Sequence, residues 1–327
     1  MAKSSENKRK IPEAKPLFLE RMQKLLPDEK DYQTYLEILK TRPVRSIRCN
    51  KLKISPEDLK KRLEEKNWEI SQPWKGYPEI MVVENDLEPG ELGRAIEHIL
   101  GYYYIQELAS MLPIIALKPQ PKEIVLDLCA APGSKTTQAS AEMQNTGTII
   151  ANELSMGRLK ILASNLERCG VTNNIITKKE GIALCKKMKT QNIEFDKILV
   201  DAPCSGEGTL RSSYQTYLMW NPKTIKSLSK LQKKLVTATI EILKVGGEIV
   251  YSTCTHAPEE NEEIVNYIIE NFPNMQIQKI SMPIRAREGM TSWENKEFSK
   301  EVKLAQRVYP HDNNTEGFFL AKFKKVE

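Results

Sequence analysis

Histidine is scarce in this chain, three among 327 residues, and none of the six cysteines forms a Cys-x-x-Cys pair. A zinc centre is therefore disfavoured, because structural zinc takes closely spaced Cys and His ligands. Free thiols in an intracellular protein fit this usage better than a disulfide framework. No stretch approaches the roughly 18 consecutive apolar residues that a membrane span needs. The opening segment, Met1 to Lys10, has charges but no apolar core behind them, so it does not read as a secretory signal. Residues 1–15 read instead as a basic flexible tail, with contact to nucleic acid as the sharper alternative. Gly-x-Gly-x-x-Gly is missing too, which argues against a nicotinamide site. Gly133-Ser-Lys-Thr136 has the flavour of a phosphate-loop end, but the first glycine is absent and Ser134 separates Gly from Lys.

What is present describes a chain with room for one large core and a smaller appended unit, 40% hydrophobic and 28% charged. A net charge of +6 favours a polyanionic partner without proving one. Residues 15 to about 113 mix helices and strands, as a small α+β unit would. They include a helix over 31–40, a strand at 46–50, a helix opened by Ser55 as cap with Pro56 behind it, and a strand at 79–83. From residue 122 the pattern turns to strand–helix repeats. Strands are expected at 124–128, 147–152, 174–177, 197–200 and 248–252, with helices from about 135, at 155–169, 222–243 and 259–271. Short apolar runs alternating with helices predict a mostly parallel sheet covered on both faces.

Three strand-to-loop junctions carry the chemistry. Val125-Leu-Asp127 runs into Cys129-Ala130-Ala131-Pro132-Gly133-Ser134-Lys135, Ile198-Leu-Val200 into Asp201-Ala-Pro-Cys204-Ser, and Ile249-Val-Tyr251 into Ser252-Thr-Cys254-Thr. Ligands of open α/β sheets bind at the carboxyl ends of strands, so a loop of small residues and two thiols placed there predict a cofactor site beside a nucleophile. Ala130, Ala131 and Gly133 would let a ligand lie against bare amides near a helix start. Glu153 ends the next strand, where a carboxylate either accepts from ribose hydroxyls or complements a helix dipole. A lone cysteine after a strand is usually a small buried hydrophobe, and Cys49, Cys169 and Cys185 are read that way.

Together, the Cys129–Lys135 loop, the Asp-Ala-Pro-Cys-Ser-Gly-Glu-Gly-Thr209 segment and Tyr-Ser-Thr-Cys-Thr255 closely resemble RNA cytosine-5 methyltransferases of the Sun/RsmB type. The likeness extends over roughly residues 30–325. It takes in Arg48-Cys-Asn50-Lys51, Gly101-Tyr-Tyr-Tyr-Ile-Gln106, Arg307-Val-Tyr-Pro-His311 and Gly317-Phe-Phe319. The resemblance implies an α/β fold, with a Rossmann-like S-adenosylmethionine-dependent methyltransferase sheet over 114–327 and an α+β RNA-recognition module over 16–113. It implies Cys254 as nucleophile on cytosine C6, Cys204 as the thiol that frees the product, and Asp201 as the carboxylate near base and cofactor. S-adenosyl-L-methionine would be held by Cys129 to Lys135, Glu153, Arg158, Glu180 and Asp201, with Cys129 mainly a packing residue. Glu180 stands where the family has Asp, one methylene longer than usual. Lys135 either supports the adenosyl carboxylate or a phosphate, or balances local charge.

DNA cytosine-5 methyltransferases use one Pro-Cys nucleophile and lack the Thr-Cys partner, which sets that branch aside. Methyl transfer to another base or to protein leaves the cysteine pair unexplained. A non-catalytic RNA-binding scaffold would be favoured by a degraded loop or a missing nucleophile. The compact form implies transfer RNA as partner, with ribosomal RNA as runner-up, and a cytoplasmic monomer without membrane or metal. Tyr102 to Tyr104 are either base-stacking or buried aromatics, and Arg45 and Arg211 either phosphate contacts or a solvated basic face.

Overall fold

The computed structural model describes residues 14–327, so nearly all of the expected basic tail lies outside it. Lys15, inside the span read as tail, is anchored, its ammonium donating to the carbonyls of Leu218 and Trp220 at 3.0 and 2.7 Å. Helices Pro16–Leu25 and Glu29–Ile38 lead into a four-stranded antiparallel sheet in the order Ile70–Ser71, Ile80–Val83, Arg45–Cys49, Tyr103–Ile105. Against it packs helix Pro56–Glu64. The Ser55 hydroxyl accepts from the Asp58 amide at 3.1 Å, as the cap signature requires, while the Asp58 carboxylate turns back onto that same hydroxyl at 2.8 Å. Ile47, Leu59, Leu63, Met81 and Tyr103 form the core between helix and sheet.

Beyond it lies a nine-stranded sheet. Asn174–Thr177, Thr148–Asn152, Ile124–Asp127, Phe195–Asp201 and Leu243–Thr253 run parallel in that order. The remaining strands add in antiparallel fashion: Phe318–Lys325 pairs with Leu243–Thr253, then Gln306–Val308 and Met275–Gln278 pair with Phe318–Lys325, and Arg287–Glu288 pairs with Gln306–Val308. The sheet is thus mixed, its antiparallel part beginning where Phe318–Lys325 lies beside the last parallel strand. Side chains alternate across it. Ile198, Val200 and Tyr251 enter one apolar cluster with Leu235 and Phe319, while Leu199 and Val250 enter the opposite one with Leu112 and Ile114. Each such fully buried aliphatic side chain contributes roughly 1.5–3 kcal/mol.

Helix Leu108–Leu117 escapes the sequence reading. Its ten residues are apolar almost all round, with no polar face to mark a helical period, and Pro113 reads as a boundary. The helix runs through that position, so the unit edge expected at 113/114 falls inside one buried rod packed on the large sheet. Strand Leu243–Thr253 begins five residues earlier than expected, passing through Gly246 and Gly247. Among the described residues no helix is long and apolar enough to cross a membrane.

Candidate active site

The first loop leaves strand Ile124–Asp127 and enters helix Ser134–Glu142. Gly133 sits at the junction with φ +104°, where a Cβ would be strained and would stand 3.1 Å from Leu162 Cδ1. Two polar side chains hold the preceding carbonyls: Asn165 Nδ2 donates to Pro132 O at 2.9 Å, and Arg158 donates to Ala131 O. Tyr104 of the smaller sheet donates to Pro132 O at 3.3 Å, tying the loop to the N-terminal unit. Glu153 is buried at the end of the neighbouring strand; its carboxylate accepts from the Ser155 amide at 2.7 Å and pairs with Arg158 at 3.2 Å. Glu180 caps helix Gly181–Thr190, its two oxygens accepting from the Ile182 and Ala183 amides at 3.1 and 2.8 Å.

Asp127, which sequence reasoning passed over as the end of a strand, lies buried beneath this loop. Thr136 Oγ1 donates to its Oδ2 at 2.7 Å, and Oδ1 has no partner among the described residues. Burial, with nearby Asp201, pushes its carboxyl up to about 6 despite that hydrogen bond. The residues fit S-adenosylmethionine: small side chains leave room along Cys129 to Gly133, helix Ser134–Glu142 begins there, and Glu153 offers a carboxylate at a strand end. The only signal for Asp127 was its place at a strand end, two residues before Cys129.

Lys135 points away from the loop's outer side. Its ammonium pairs with Asp201 Oδ2 at 2.8 Å, donates to Ser110 Oγ at 3.1 Å and lies 5.5 Å over the Phe318 ring. Ser252 Oγ donates to the other Asp201 oxygen at 2.8 Å. Burial opposes the lysine's charge, but Asp201 outweighs it and the pKa is raised, so the pair is ionic. Strands Phe195–Asp201 and Leu243–Thr253 are in parallel register, Asp201 beside Ser252, so the loops beyond them leave side by side. That register brings Cys204 Sγ to 3.4 Å from Cys254 Sγ. Hydrogen bonding to Cys254, then burial, raises the Cys204 pKa far above the ordinary thiol range. Ser205 Oγ and Thr255 Oγ1 share a 2.7 Å hydrogen bond that links the two loops directly.

Cys254, Asp201 and Lys135 open into one cavity of about 420 Å³ with Ser110, Glu316 and Phe318, closed from the N-terminal side by Val44, Leu92 and Ile105. The arrangement suits nucleophilic chemistry: a sulfur atom on the cavity wall, an ammonium–carboxylate pair lining the same cavity, and a second thiol within hydrogen-bonding distance of that sulfur. His256, two residues on from Cys254, is no general base. It is buried, stacked 5.1 Å from Tyr309, and burial with nearby Arg307 lowers its pKa to about 3.

Several residues considered for RNA contact turn out to be framework. Tyr103 and Tyr104 are buried, Tyr104 lying between the guanidinium groups of Arg48 and Arg168. Arg211 is buried and donates to Thr315 O, Arg42 O, Thr41 and Asn314. Arg48 donates to Gln106, Ser134 O and Thr137, and Asn50 to the carbonyls of Gly101 and Cys169, so both tie the small sheet to helices of the larger unit. Arg307 is locked onto Glu262. Arg45 stays partly exposed at the cavity, held by Asn85 O at 3.0 Å and Asp86 at 3.2 Å.

Residues 114–324 match the family profile described as 16S rRNA methyltransferase RsmB/F, and residues 15–108 match the N-terminal domain of 16S rRNA methyltransferase RsmF. A tRNA (cytosine(49)-C(5))-methyltransferase of Pyrococcus abyssi is 38% identical, covering 94% of this chain and 95% of that protein. Ribosomal RNA small subunit methyltransferase F of Erwinia tasmaniensis is 36% identical, but the chain spans only 63% of its length. Among solved structures, a methyltransferase homolog from Pyrococcus horikoshii superposes with TM-score 0.82 at 36% identity, over 94% of both chains. NSun6 from the same organism, crystallised with SFG, superposes with TM-score 0.78 at 25% identity, covering 94% and 97%.

Proposed function

The chain belongs to the RsmB/F family of RNA methyltransferases, and from that premise we propose that it methylates C5 of a cytosine in transfer RNA, with Cys254 as covalent nucleophile. The observation that carries the reading is the pair of sulfurs 3.4 Å apart, at one end of two adjacent strands, with Cys254 lining a cavity shared with the Lys135–Asp201 ion pair. S-adenosylmethionine, when bound, supplies an electrophilic methyl group. Everything else falls to the protein. Cytosine C5 is too poor a nucleophile to take that methyl unaided. Attack by the Cys254 thiolate forms the S–C6 bond and moves the C5=C6 electron pair onto C5, which then accepts the methyl. Transfer of the C5 proton to water lets the C–H electron pair re-form the C5=C6 bond as the S–C6 bond breaks, which restores the ring and returns the thiolate.

Cys204 is assigned to that departure, since one addition needs only one nucleophile. The geometry supports the division, because a thiol 3.4 Å from the Cys254 sulfur can donate to it as it leaves C6. Asp201, fixed by Lys135 and Ser252, holds an acceptor at the cavity wall for the amino edge of the base. Glu153, with the Cys129–Lys135 loop, would hold the cofactor; Arg158 and Glu180 support that wall through Ala131 and helix Gly181–Thr190. The N-terminal unit, up to the start of helix Leu108–Leu117, serves RNA recognition and the remainder methyl transfer, in a cytoplasmic monomer.

The likeness to the Pyrococcus abyssi enzyme, over 95% of that protein's length, supports transfer RNA. Labelled S-adenosylmethionine offered with tRNA and with rRNA, followed by mapping of methylcytosine, tests the substrate. Denaturing electrophoresis tests the cysteines: Cys204→Ala should show an RNA-shifted band and Cys254→Ala none. The reverse pattern would make Cys204 the nucleophile.

A further inference from the structure

Two buried polar residues bracket Cys204 and have no part in the chemistry above. Gln232, on helix Pro222–Ile240, is fully buried; its Nε2 donates to Pro203 O and to Glu260 Oε2, each at 2.8 Å. Glu260, also fully buried, accepts from the Ser205 amide, at 3.1 Å on Oε2 and 3.3 Å on Oε1. The carbonyl before Cys204 and the amide after it are thus gripped by one hydrogen-bonded pair. Glu260 is fixed in turn: Tyr251, on the strand that delivers Cys254, donates to its backbone carbonyl at 2.6 Å. The grip therefore references the position of one thiol to the strand carrying the other.

We propose that Glu260 and Gln232 are positioning residues that hold Cys204 against Cys254, and that they govern release of the methylated RNA more than attack on it. The proposal rests on the assignment of Cys204 to release. Burying a carboxylate is costly, and placing one where its visible duty is to accept from the amide beside a thiol implies that the thiol's placement matters. Burial pushes the Glu260 carboxyl up to about 7 even with donors from Ser205 and Gln232. Its charge adds to the influences that keep Cys204 a thiol. Cys254 lies outside the grip, so the attacking sulfur should be spared. A misplacement of about 1 Å in a reacting group can cost on the order of a hundredfold in rate.

Glutamine at 260 can place its amide oxygen where Oε2 stands and keep the bonds from Ser205 and Gln232 there, giving up only the 3.3 Å contact at Oε1, whereas alanine keeps none. Gln232→Leu removes both donors. Single-turnover methylation of RNA by the full-length protein gives the rate of methyl transfer, and decay of the denaturant-resistant RNA band gives the rate of release. Thermal melting and cofactor binding report folding. Glu260→Ala and Gln232→Leu should transfer methyl at close to the wild-type rate and release product about tenfold more slowly or worse, while Glu260→Gln restores release. Wild-type release by folded Gln232→Leu, or equal loss of both steps without rescue by glutamine, would overturn the proposal. Should Glu260→Ala not fold, Gln232→Leu against Glu260→Gln decides it. Cys204→Ala separates the two layers: if it captures no RNA, the release assignment itself fails, and if it captures RNA while Gln232→Leu releases freely, only the grip is wrong.

Discussion

Replacing Asp201 by Asn should cost more stability than replacing Lys135 by Met, although both changes break the same ion pair. The ammonium and carboxylate stand 2.8 Å apart, but the lysine side chain is 10% exposed and the aspartate side chain 26%. In Asp201→Asn the charge left behind is the more buried one, keeping Ser110 Oγ, the Phe318 ring and the weaker attraction of Asp127. In Lys135→Met the stranded carboxylate keeps its contact with water and the Ser252 hydroxyl at 2.8 Å. Removing one partner of a buried pair costs about 3–5 kcal/mol and an exposed pair contributes about 0.2–1. These geometries place Asp201→Asn near 3 kcal/mol and Lys135→Met near 1–2 kcal/mol, with a coupling of about 1–2 kcal/mol in the double mutant. Urea unfolding of the four proteins measures all three quantities. The folded-state pKa of Lys135 lies above its ordinary value of 10.5, so its contribution is complete below that pH and fades only as pH rises past it. The cost of Asp201→Asn should therefore be flat from about pH 8 to 9, above the range in which Asp127 titrates at about 6. A larger loss for Lys135→Met, or coupling below about 0.5 kcal/mol, would refute this account of the pair.

Gly133→Ala places a side chain at φ +104°, 3.1 Å from a flexible leucine tip, so strain of about 1–3 kcal/mol should appear as weaker cofactor binding in calorimetry; an unchanged dissociation constant would free the loop from that role. Arg211→Ala should lower the melting temperature by removing a buried guanidinium with four acceptors, and leave the salt dependence of RNA binding untouched; a shallower salt slope would restore Arg211 as a phosphate contact. Asp31, bonded to Arg287 and His311, has its carboxyl lowered from 3.8 to about 2. A depressed acid stabilises above its unfolded pKa and loses that contribution as pH falls through the folded one, so Asp31→Asn should cost about 1 kcal/mol near pH 7, after screening, and nothing near pH 2. A pH-independent difference in urea unfolding would show that the charge is not what matters.

What could be read along the chain was whatever neighbouring residues decide. Glycines and prolines mark where strands stop, small residues mark a loop that a ligand can approach, and Ser55 with Pro56 opens a helix at the expected residue. The three junctions at Asp127, Asp201 and Ser252 follow from such local signals, and membership in the family agrees with them. Tertiary structure decided how these pieces meet. Nothing near Lys135 in sequence says that it reaches across to Asp201 rather than toward its own loop. The register that sets Cys204 beside Cys254 joins segments fifty residues apart through a strand pairing that either segment alone leaves open. Tyr104 and Arg211 look like surface chemistry in sequence, and become framework only because other elements cover them. Helix Leu108–Leu117 shows the converse, since burial on every side erases the amphipathic period by which a helix announces itself. Local sterics and hydrogen bonding act over a few residues and leave their mark in composition. Burial, strand partners and the fate of a charge depend on segments brought together only when the sheet closes, and there the thiols, the ion pair and the grip on Cys204 acquire their geometry.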